Sequence, residues 1–389
     1  MRLRGAVRTG PVAVLEIDPY GHRLRYVRHI AGALGPGRCL VLTSPAALAA
    51  EEFAAHLPGL RETAVVLPGT DSRSEVLAAA MRGALDRGAA TLVVPDGDHY
   101  VLPLLRLLLR RPWLRLRIRL LLMRTPAVLG PEHLRLATLV KPVLVQLLRL
   151  FPQVSVLFLT DALGVVRRRP GFSGIRPVRD PALPDPQLAR ARPAWLPAPT
   201  GGVTVVGVFG VICTRKNVPL LVAAALRVDS TVLVVAGRME APVREYLDSD
   251  PAARRLASAG RLVVVERLLD PDELAAALAH VDLVGVLHDN DSPSGILAEA
   301  CLRHTPVLVL TGGWLARVVS STGIGATTDP TPEAVAAAIY ALARDRDRYV
   351  AATRLSATRI NVDHFATHLA GSCGDAKRWG PRPATDPRR

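Results

Sequence analysis

Short apolar runs alternate with amphipathic stretches along the first half of the chain. The runs have the length of buried parallel strands, and the stretches between them place apolar residues at helical spacing. Strands are predicted at 12–17, 39–42, 64–67, 91–94, 118–123 and 154–159. Helices are predicted at 23–34, 46–56, 74–87, 101–111 and 132–151, the last interrupted by Pro142. This alternation predicts an α/β fold with a parallel, doubly wound sheet.

The same alternation returns in the second half after a change of composition. Residues 167–200 are rich in Pro, Arg and Gly and have little periodicity, which predicts an interdomain linker at 193–200 (PAWLPAPT). Strands are then predicted at 203–209, 231–235, 262–265, 283–287 and 307–310, and helices near 218–227, 241–258, 271–280, 295–303 and 332–344. We therefore expect two Rossmann-like domains, at 1–195 and 200–350, then a terminal helix at 351–370 and a disordered basic tail at 371–389.

Composition and charge narrow the class of protein. The hydrophobic fraction of 49% over 389 residues excludes a disordered chain. No apolar run reaches the roughly 18 residues of a membrane-spanning helix, and the N-terminus lacks the apolar core of a secretory signal, so a cytoplasmic protein is expected. Four widely spaced cysteines without a CxxC pair predict reduced thiols. The net charge of +15 favours a polyanionic partner, but without a nucleic-acid-binding motif and with 4% aromatic residues we expect no nucleic acid.

The stretch 283–314 contains the clearest candidate site. A buried strand leads into a polar turn with Ser294 and Gly295, and a helix carrying Glu299 follows. Because a helix N-terminus presents free N–H groups and the positive end of a dipole, this turn is a plausible seat for a phosphate. Glu299 lies about one turn further along, within reach of the ribose of a nucleotide whose phosphates rest on the turn. A solvent-facing role for Glu299 is the alternative.

The residues of this stretch also carry a family resemblance. Asp291-SPSGILA-Glu299, followed by EACLRHTPVLVLTGG, is similar to the E-x7-E pattern of the retaining GT4 family of GT-B glycosyltransferases, "glycosyl transferases group 1". The resemblance covers about 205–345, and the first half is compatible with the acceptor domain of that family. It implies two Rossmann-like domains facing each other across a cleft. It also implies a ribose contact for Glu299, a backbone phosphate cradle at Ser294, Gly295 and Ile296, and a contact with the transferred sugar for Asp291, which replaces the first Glu.

A second motif, VVGVFGVICTRKNVPLLVAAA at 205–225, is similar to GRLxxxKGxxxLLxA of the same family. The resemblance implies that Lys216 grips the donor diphosphate, while a helix cap is the alternative role. Val211 stands where the family has an arginine, and Arg215 is a candidate substitute. In relatives the loop near Arg267 and Leu268 lies by the nucleobase. Since a cationic clamp stabilises a diphosphate leaving group without a metal, we expect no metal and no cofactor beyond the nucleotide-sugar co-substrate.

The first half offers candidate acceptor residues at predicted strand ends. Gly21 and His22 follow the first strand, and Asp96, Asp98 and His99 follow the fourth. The carboxyl ends of parallel strands face the ligand crevice, so either histidine could polarise an acceptor, and His99 is the catalytic candidate. Asp96-Gly97-Asp98 also fits the metal-binding DxD of GT-A enzymes. A turn with acceptor contacts is favoured because the triplet lies in the half without the nucleotide signature.

Leucine and arginine are mixed in 101–124 and 132–151, as they are in helices that lie on anionic lipid. Residues 114–120 alternate strictly, as a core strand does, which leaves the helix at 101–111 with Trp113 as the candidate contact. An anionic membrane surface, at the inner face of the plasma membrane, is therefore one candidate partner.

The sequence thus predicts a cytoplasmic GT-B glycosyltransferase that moves a sugar from a nucleotide-diphospho-sugar with retention. The acceptor is open among lipid-linked, glycan and small-molecule classes. Two alternatives stay open. One is a GT-B sugar-nucleotide epimerase or hydrolase, and the other is a catalytically silent GT-B protein that binds nucleotide-sugar or a partner.

Overall fold

The chain forms two parallel β-sheets with apolar clusters on both faces of each. The structure, a computed structural model, describes residues 10–19, 23–123, 136–165, 174–181, 191–198, 201–288, 294–360 and 365–371. None of the helices in these ranges is long and apolar enough to cross a membrane.

The first domain contains a seven-stranded sheet in the order β3-β2-β1-β4-β5-β6-β7. Its strands are β1 Val12–Leu15, β2 Cys39–Thr43, β3 Val65–Val66, β4 Thr91–Val94, β5 Arg117–Leu122, β6 Val154–Thr160 and β7 Arg176–Arg179. Its helices are α1 Arg23–Leu34, α2 Pro45–Ala49, α3 Glu51–His56, α4 Arg73–Asp86, α5 Val101–Arg110 and α6 Leu136–Leu148. The strand order reverses between β1 and β4, so the crevice for a ligand lies outside the carboxyl ends of these two strands.

The second domain contains a six-stranded sheet in the order β10-β9-β8-β11-β12-β13. Its strands are β8 Thr204–Phe209, β9 Thr231–Ala236, β10 Leu262–Val265, β11 Leu283–Val286, β12 Val307–Leu310 and β13 Gly325–Thr328. Its helices are α7 Val218–Ala225, α8 Ala241–Ser249, α9 Pro251–Ser258, α10 Pro271–His280, α11 Gly295–Leu302, α12 Trp314–Thr322, α13 Pro332–Arg344 and α14 Arg346–Ala357. Here the order reverses between β8 and β11, which carry the two candidate donor loops.

Two edge strands and one helix were not predicted from the sequence. In β7 only Val178 is fully buried, and Pro177 removes a hydrogen-bond donor, which an edge strand tolerates. Strand β13 (GATT) has no apolar run, and a β-carbon at Gly325 would lie 1.8 Å from the Val307 carbonyl oxygen, so glycine allows the close approach. Helix α12 follows directly on the Gly312-Gly313 pair that ends β12.

Two predicted helices are each divided in the structure. The helix predicted at 241–258 is interrupted at Asp250, which is extended because the residue before a proline avoids the helical region. The Asp250 carboxylate then accepts a hydrogen bond from the Ala252 N–H at 2.8 Å and caps the second half. The helix predicted at 46–56 is divided by Ala50, which is also extended.

The C-terminal segment returns to the first domain, which differs from the single terminal helix predicted at 351–370. Helix α14 ends at Ala357, and the Phe365 ring packs on Tyr26 of α1 with ring centroids 4.8 Å apart. Arg119 of β5 donates hydrogen bonds to the carbonyl oxygens of His368 and Leu369 at 2.9 and 3.0 Å. Since Phe365 and Leu369 are fully buried there, this segment fastens the two domains together. The predicted tail beyond residue 371 lies outside the described residues.

The two domains also touch along the cleft between the sheets. Arg238, beyond β9, forms an ion pair with Glu52 of α3 at 3.1 Å. Ala162, beyond β6, packs with Ala298 of α11. The predicted linker contributes Trp195, whose indole N–H donates to Glu273 of α10 at 2.7 Å. The carboxyl ends of the two sheets therefore face each other across the cleft.

Candidate functional site

A cavity lies between the two domains, at the carboxyl ends of β8 and β11. The second domain supplies most of its wall, and the first domain supplies Arg25, Glu52 and His56. Of the predicted donor residues, the wall includes Arg215, Lys216, Leu268, Ser294, Gly295 and Ile296. The structure thus brings together residues from three loops that lie far apart in the sequence.

The loop after β8 places Lys216 inside this cavity wall. Gly210 begins the loop with φ of +91°, a conformation that favours glycine, and Asn217 ends it with φ of +51°. The Asn217 side chain donates to the Leu287 carbonyl oxygen at 2.7 Å, which ties the loop to the end of β11. A β-carbon at Gly210 would lie 3.5 Å from Lys216 Nζ and 3.6 Å from Ile296 Cδ1. Lys216 therefore lies beside the start of α11.

Lys216 is a buried cation that none of the described residues neutralises. Only 6% of its surface is exposed, and its ammonium donates a hydrogen bond to the carbonyl oxygen of Phe209. Burial lowers the pKa of Lys216 to about 8, with nearby Arg215 acting in the same direction. Among the described residues no carboxylate lies within ion-pair distance of Lys216. Such a cation favours an anionic ligand.

His288 follows β11 directly and lines the same cavity, although it was not predicted as a site residue. Burial, together with the charges of Lys216 and Arg215, lowers the pKa of its imidazole to about 3. His288 is therefore neutral at physiological pH and can donate or accept a hydrogen bond there. Its position at the carboxyl end of a central parallel strand was the available sequence signal.

Helix α11 begins at this cavity in the geometry of a capped N-terminus. The Ser294 hydroxyl accepts from the Leu297 N–H at 3.4 Å, and Gly295 and Ile296 open the first turn. Glu299 lies in the second turn and is buried. Asp291, the predicted sugar contact, lies outside the described residues.

Glu299 forms an ion pair with Arg25, which α1 of the first domain carries across the cleft. The sequence did not single out Arg25. A β-carbon at Gly295 would lie 3.2 Å from Arg25 Nη2, so the guanidinium lies against the first turn of α11 as well. In this structure the carboxylate predicted for the ribose therefore holds an arginine of the opposite domain.

The other predicted donor residues have individual partners. The Arg215 Nε–H donates to Cys213 Sγ at 3.2 Å, and the residue is exposed at the cavity. Arg267 forms an ion pair with Glu273 and is exposed. Leu268, next to it, lines the cavity as apolar surface of the kind on which a nucleobase could pack.

A second polar cluster follows β1 and β4 in the first domain. Asp96 is buried and forms an ion pair with Arg23 at 2.9 Å, and His99 Nε2 lies 3.8 Å from the same carboxylate. Glu16, at the end of β1, is also buried, and burial raises its pKa to about 8, so that it is protonated at neutral pH. Glu16 was not predicted from the sequence, although a lone carboxylate closing the apolar run of β1 was the signal. Gly21 and His22 lie outside the described residues.

The two carboxylates of the DxD triplet have different partners. Asp98 accepts a hydrogen bond from the Met123 N–H at 2.7 Å and pairs with Lys141, whereas Asp96 pairs with Arg23. In the part of the chain that the structure describes, no cluster of three or more His, Cys, Asp or Glu side chains could hold a metal ion. Of the predicted acceptor residues, Asp96 and His99 therefore lie together, whereas Asp98 is turned to the domain interior.

Comparison with known proteins places this arrangement in a known architecture. No protein-family model and no curated protein matches the chain. Among solved structures, Anabaena Alr3699/HepE in complex with UDP and glucose has a TM-score of 0.66 at 16% identity, covering 93% of this chain and 98% of that one. Sucrose-phosphate synthase from Thermosynechococcus elongatus has a TM-score of 0.66 at 16% identity, covering 92% and 97%.

A third solved structure matches a similar share of this chain. WaaG, a glycosyltransferase involved in lipopolysaccharide biosynthesis, has a TM-score of 0.59 at 15% identity, covering 93% of this chain and 100% of that one. At identities this low the structural matches establish the fold, and the activity must be inferred from the residues of the site. The fold predicted from the sequence is confirmed: the chain has the GT-B fold of these glycosyltransferase structures, with two Rossmann-like domains that face each other across a cleft.

Proposed function

We propose that the chain is a glycosyltransferase that moves a sugar from a nucleotide-diphospho-sugar to an acceptor hydroxyl, as GT4-like enzymes do with retention. The observation that carries the proposal is the buried Lys216, which has an ammonium beside the start of α11 and no carboxylate partner among the described residues. A diphosphate supplies the missing charge. Glu299 lies one turn deeper to accept hydrogen bonds from the ribose, and solved structures of this fold hold UDP and UDP-glucose.

The chemistry follows from where the positive charge lies. As the bond between the anomeric carbon and the phosphate oxygen breaks, negative charge grows on the leaving diphosphate. Lys216 and the N–H groups of α11 stabilise that charge more strongly in the transition state than in the ground state. The acceptor oxygen bonds to the anomeric carbon on the same face, and its proton passes to an oxygen of the departing diphosphate.

The acceptor would lie toward the polar cluster after β1 and β4. His99 has a partly exposed side chain and the Asp96 carboxylate near it, so its imidazole can orient an acceptor hydroxyl. From the sequence we also propose Gly21 and His22 as acceptor contacts and Asp291 as a contact with the transferred sugar.

A panel of UDP-, GDP- and ADP-sugars tests the activity. We expect one donor to be consumed with its sugar transferred to an acceptor hydroxyl, and the product to keep the anomeric configuration of the donor, as read by NMR. Release of the sugar to water alone would indicate the hydrolase. Lys216→Met removes the charge while keeping the buried volume, and we expect it to weaken nucleotide binding roughly tenfold to a hundredfold, the cost of one charge-assisted hydrogen bond.

Arg255→Ala is the matched control, since Arg255 is exposed on α9 and its loss removes the same charge. An inverted product would contradict retention, and an isomerised sugar nucleotide would indicate an epimerase. Binding without turnover of any donor would indicate the catalytically silent alternative.

The pKa of Lys216 predicts a pH dependence of nucleotide affinity. The charged ammonium binds the diphosphate, and its pKa of about 8 in the free protein means that the charge is lost as pH rises through this value. Calorimetric titration with the best-binding nucleoside diphosphate should therefore show affinity falling about tenfold between pH 7 and pH 9. In Lys216→Arg the guanidinium stays charged over this range, so the fall should disappear. Equal pH profiles in the two proteins would contradict the assignment of Lys216.

We propose in addition that one edge of the first domain contacts an anionic membrane. Trp113 is 88% exposed after α5, and Leu109 lies one turn earlier at 67%. Helix α6 packs beside α5 and exposes apolar side chains at helical spacing, namely Val140, Val143 and Leu147, followed by Leu150. Gln153 donates to the Pro112 carbonyl oxygen at 3.0 Å and joins the ends of the two helices.

Exposed arginines lie along the same elements and give this edge its charge. They are Arg106, Arg110, Arg111, Arg115 and Arg149. Apolar side chains with arginines around them match the acyl boundary and headgroups of an anionic bilayer, because arginine stems extend over apolar surface while the guanidinium stays in water.

Flotation with vesicles tests this edge. We expect the protein to float with vesicles of phosphatidylcholine and phosphatidylglycerol and not with phosphatidylcholine alone. Trp113→Ser combined with Leu109→Ser should reduce the bound fraction severalfold. Leu355→Ser is the control, because Leu355 is 65% exposed on α14 of the second domain. An equal effect of the control, or binding that ignores lipid charge, would contradict the proposal.

A further inference from the structure

Arg25 is one of the first-domain residues that line the proposed donor site. Its side chain is 13% exposed and forms the ion pair with Glu299 across the cleft. The guanidinium also lies against Gly295, and it lines the cavity together with Lys216 and Arg215. An arginine of one domain therefore rests at the start of a helix of the other.

Glu299 is the carboxylate that compensates the charge of Arg25 in this structure. Burial lowers the pKa of the guanidinium, and Asp180, beyond β7, opposes this. Asp180 already accepts a hydrogen bond from the Tyr26 hydroxyl at 3.1 Å. On the other side, His56 and His29 are held neutral, since burial and the charges of Arg25 and Arg28 lower the pKa of each to about 4.

We propose that Arg25 is a ligand of the donor diphosphate that the first domain supplies, and that it rests on Glu299 until the donor arrives. The inference rests on the proposed function. Glu299 turns to the ribose when the nucleotide enters, and the guanidinium then needs a new anion beside the first turn of α11, which is the proposed seat of the diphosphate. Arginine suits this exchange, because its planar fork pairs with carboxylate and phosphate in the same bidentate manner.

The exchange joins donor binding to the position of the two domains. In the donor-free state the ion pair closes the cleft directly. In the bound state the diphosphate bridges Arg25 of α1 and Lys216 of the second domain, so the anion itself connects the domains. Donor affinity then includes a contribution from the first domain that is specific to the diphosphate and absent for the nucleoside.

Calorimetric titrations of the full chain test the assignment. The wild-type protein, Arg25→Gln and Arg28→Gln are titrated with UDP, GDP and ADP, and then with the matching nucleoside and nucleoside monophosphate of the tightest binder. Arg28 is the control, because it is exposed on the same helix and its loss removes the same charge. We expect Arg25→Gln to weaken the diphosphate roughly tenfold to a hundredfold, the monophosphate less, and the nucleoside not at all. Arg28→Gln should leave all three unchanged.

Each of the other possible outcomes would contradict either the role of Arg25 or the proposed function. If Arg25→Gln tightens the diphosphate and the nucleoside equally, Arg25 only competes for Glu299 and is not a diphosphate ligand. If the two arginine variants lose affinity equally, the effect is one of general charge. If Arg25→Gln weakens the nucleoside as much as the diphosphate, the role is structural. If the wild-type protein binds none of the three diphosphates, the proposed function itself fails, which separates that failure from the failure of Arg25.

Discussion

Buried positive charge determines which kind of ligand this cavity favours. Removing a cation from water without a paired anion costs several kcal/mol, and proteins normally avoid it by pairing the charge or releasing the proton. Lys216 has no such anion among the described residues, and its pKa of about 8 leaves most of the ammonium charged at pH 7. Arg25 solves the same problem with a carboxylate from the opposite domain. The free energy that is lost by burying these charges can be recovered when a diphosphate binds between the two residues.

The fold places that charge where a ligand can reach it. Both sheets reverse their strand order near the centre, and the loops after β8 and β11 meet at that point of the second domain. The C-terminal segment returns to the first domain, where Phe365 packs on Tyr26, the neighbour of Arg25 on α1. Packing far along the chain therefore fixes the helix that carries Arg25 across the cleft.

Much of the architecture could be predicted from the sequence, because buried parallel strands appear as short apolar runs. Lys216, Ser294, Gly295 and Ile296 could be placed in one site through the family resemblance of their two motifs, and the structure puts them on one cavity wall. What could not be predicted depends on contacts between distant segments. The sequence of β7 is mostly polar, since an edge strand buries little. Arg25 looks like any arginine of an amphipathic helix, and only the approach of the domains pairs it with Glu299.

A crystal structure of the protein with its best-binding nucleoside diphosphate would test the central claim most directly. The account predicts the diphosphate between Lys216 and the first turn of α11, with the ribose on Glu299. A nucleotide bound outside the interdomain cavity, or one whose phosphates lie away from Lys216, would contradict it.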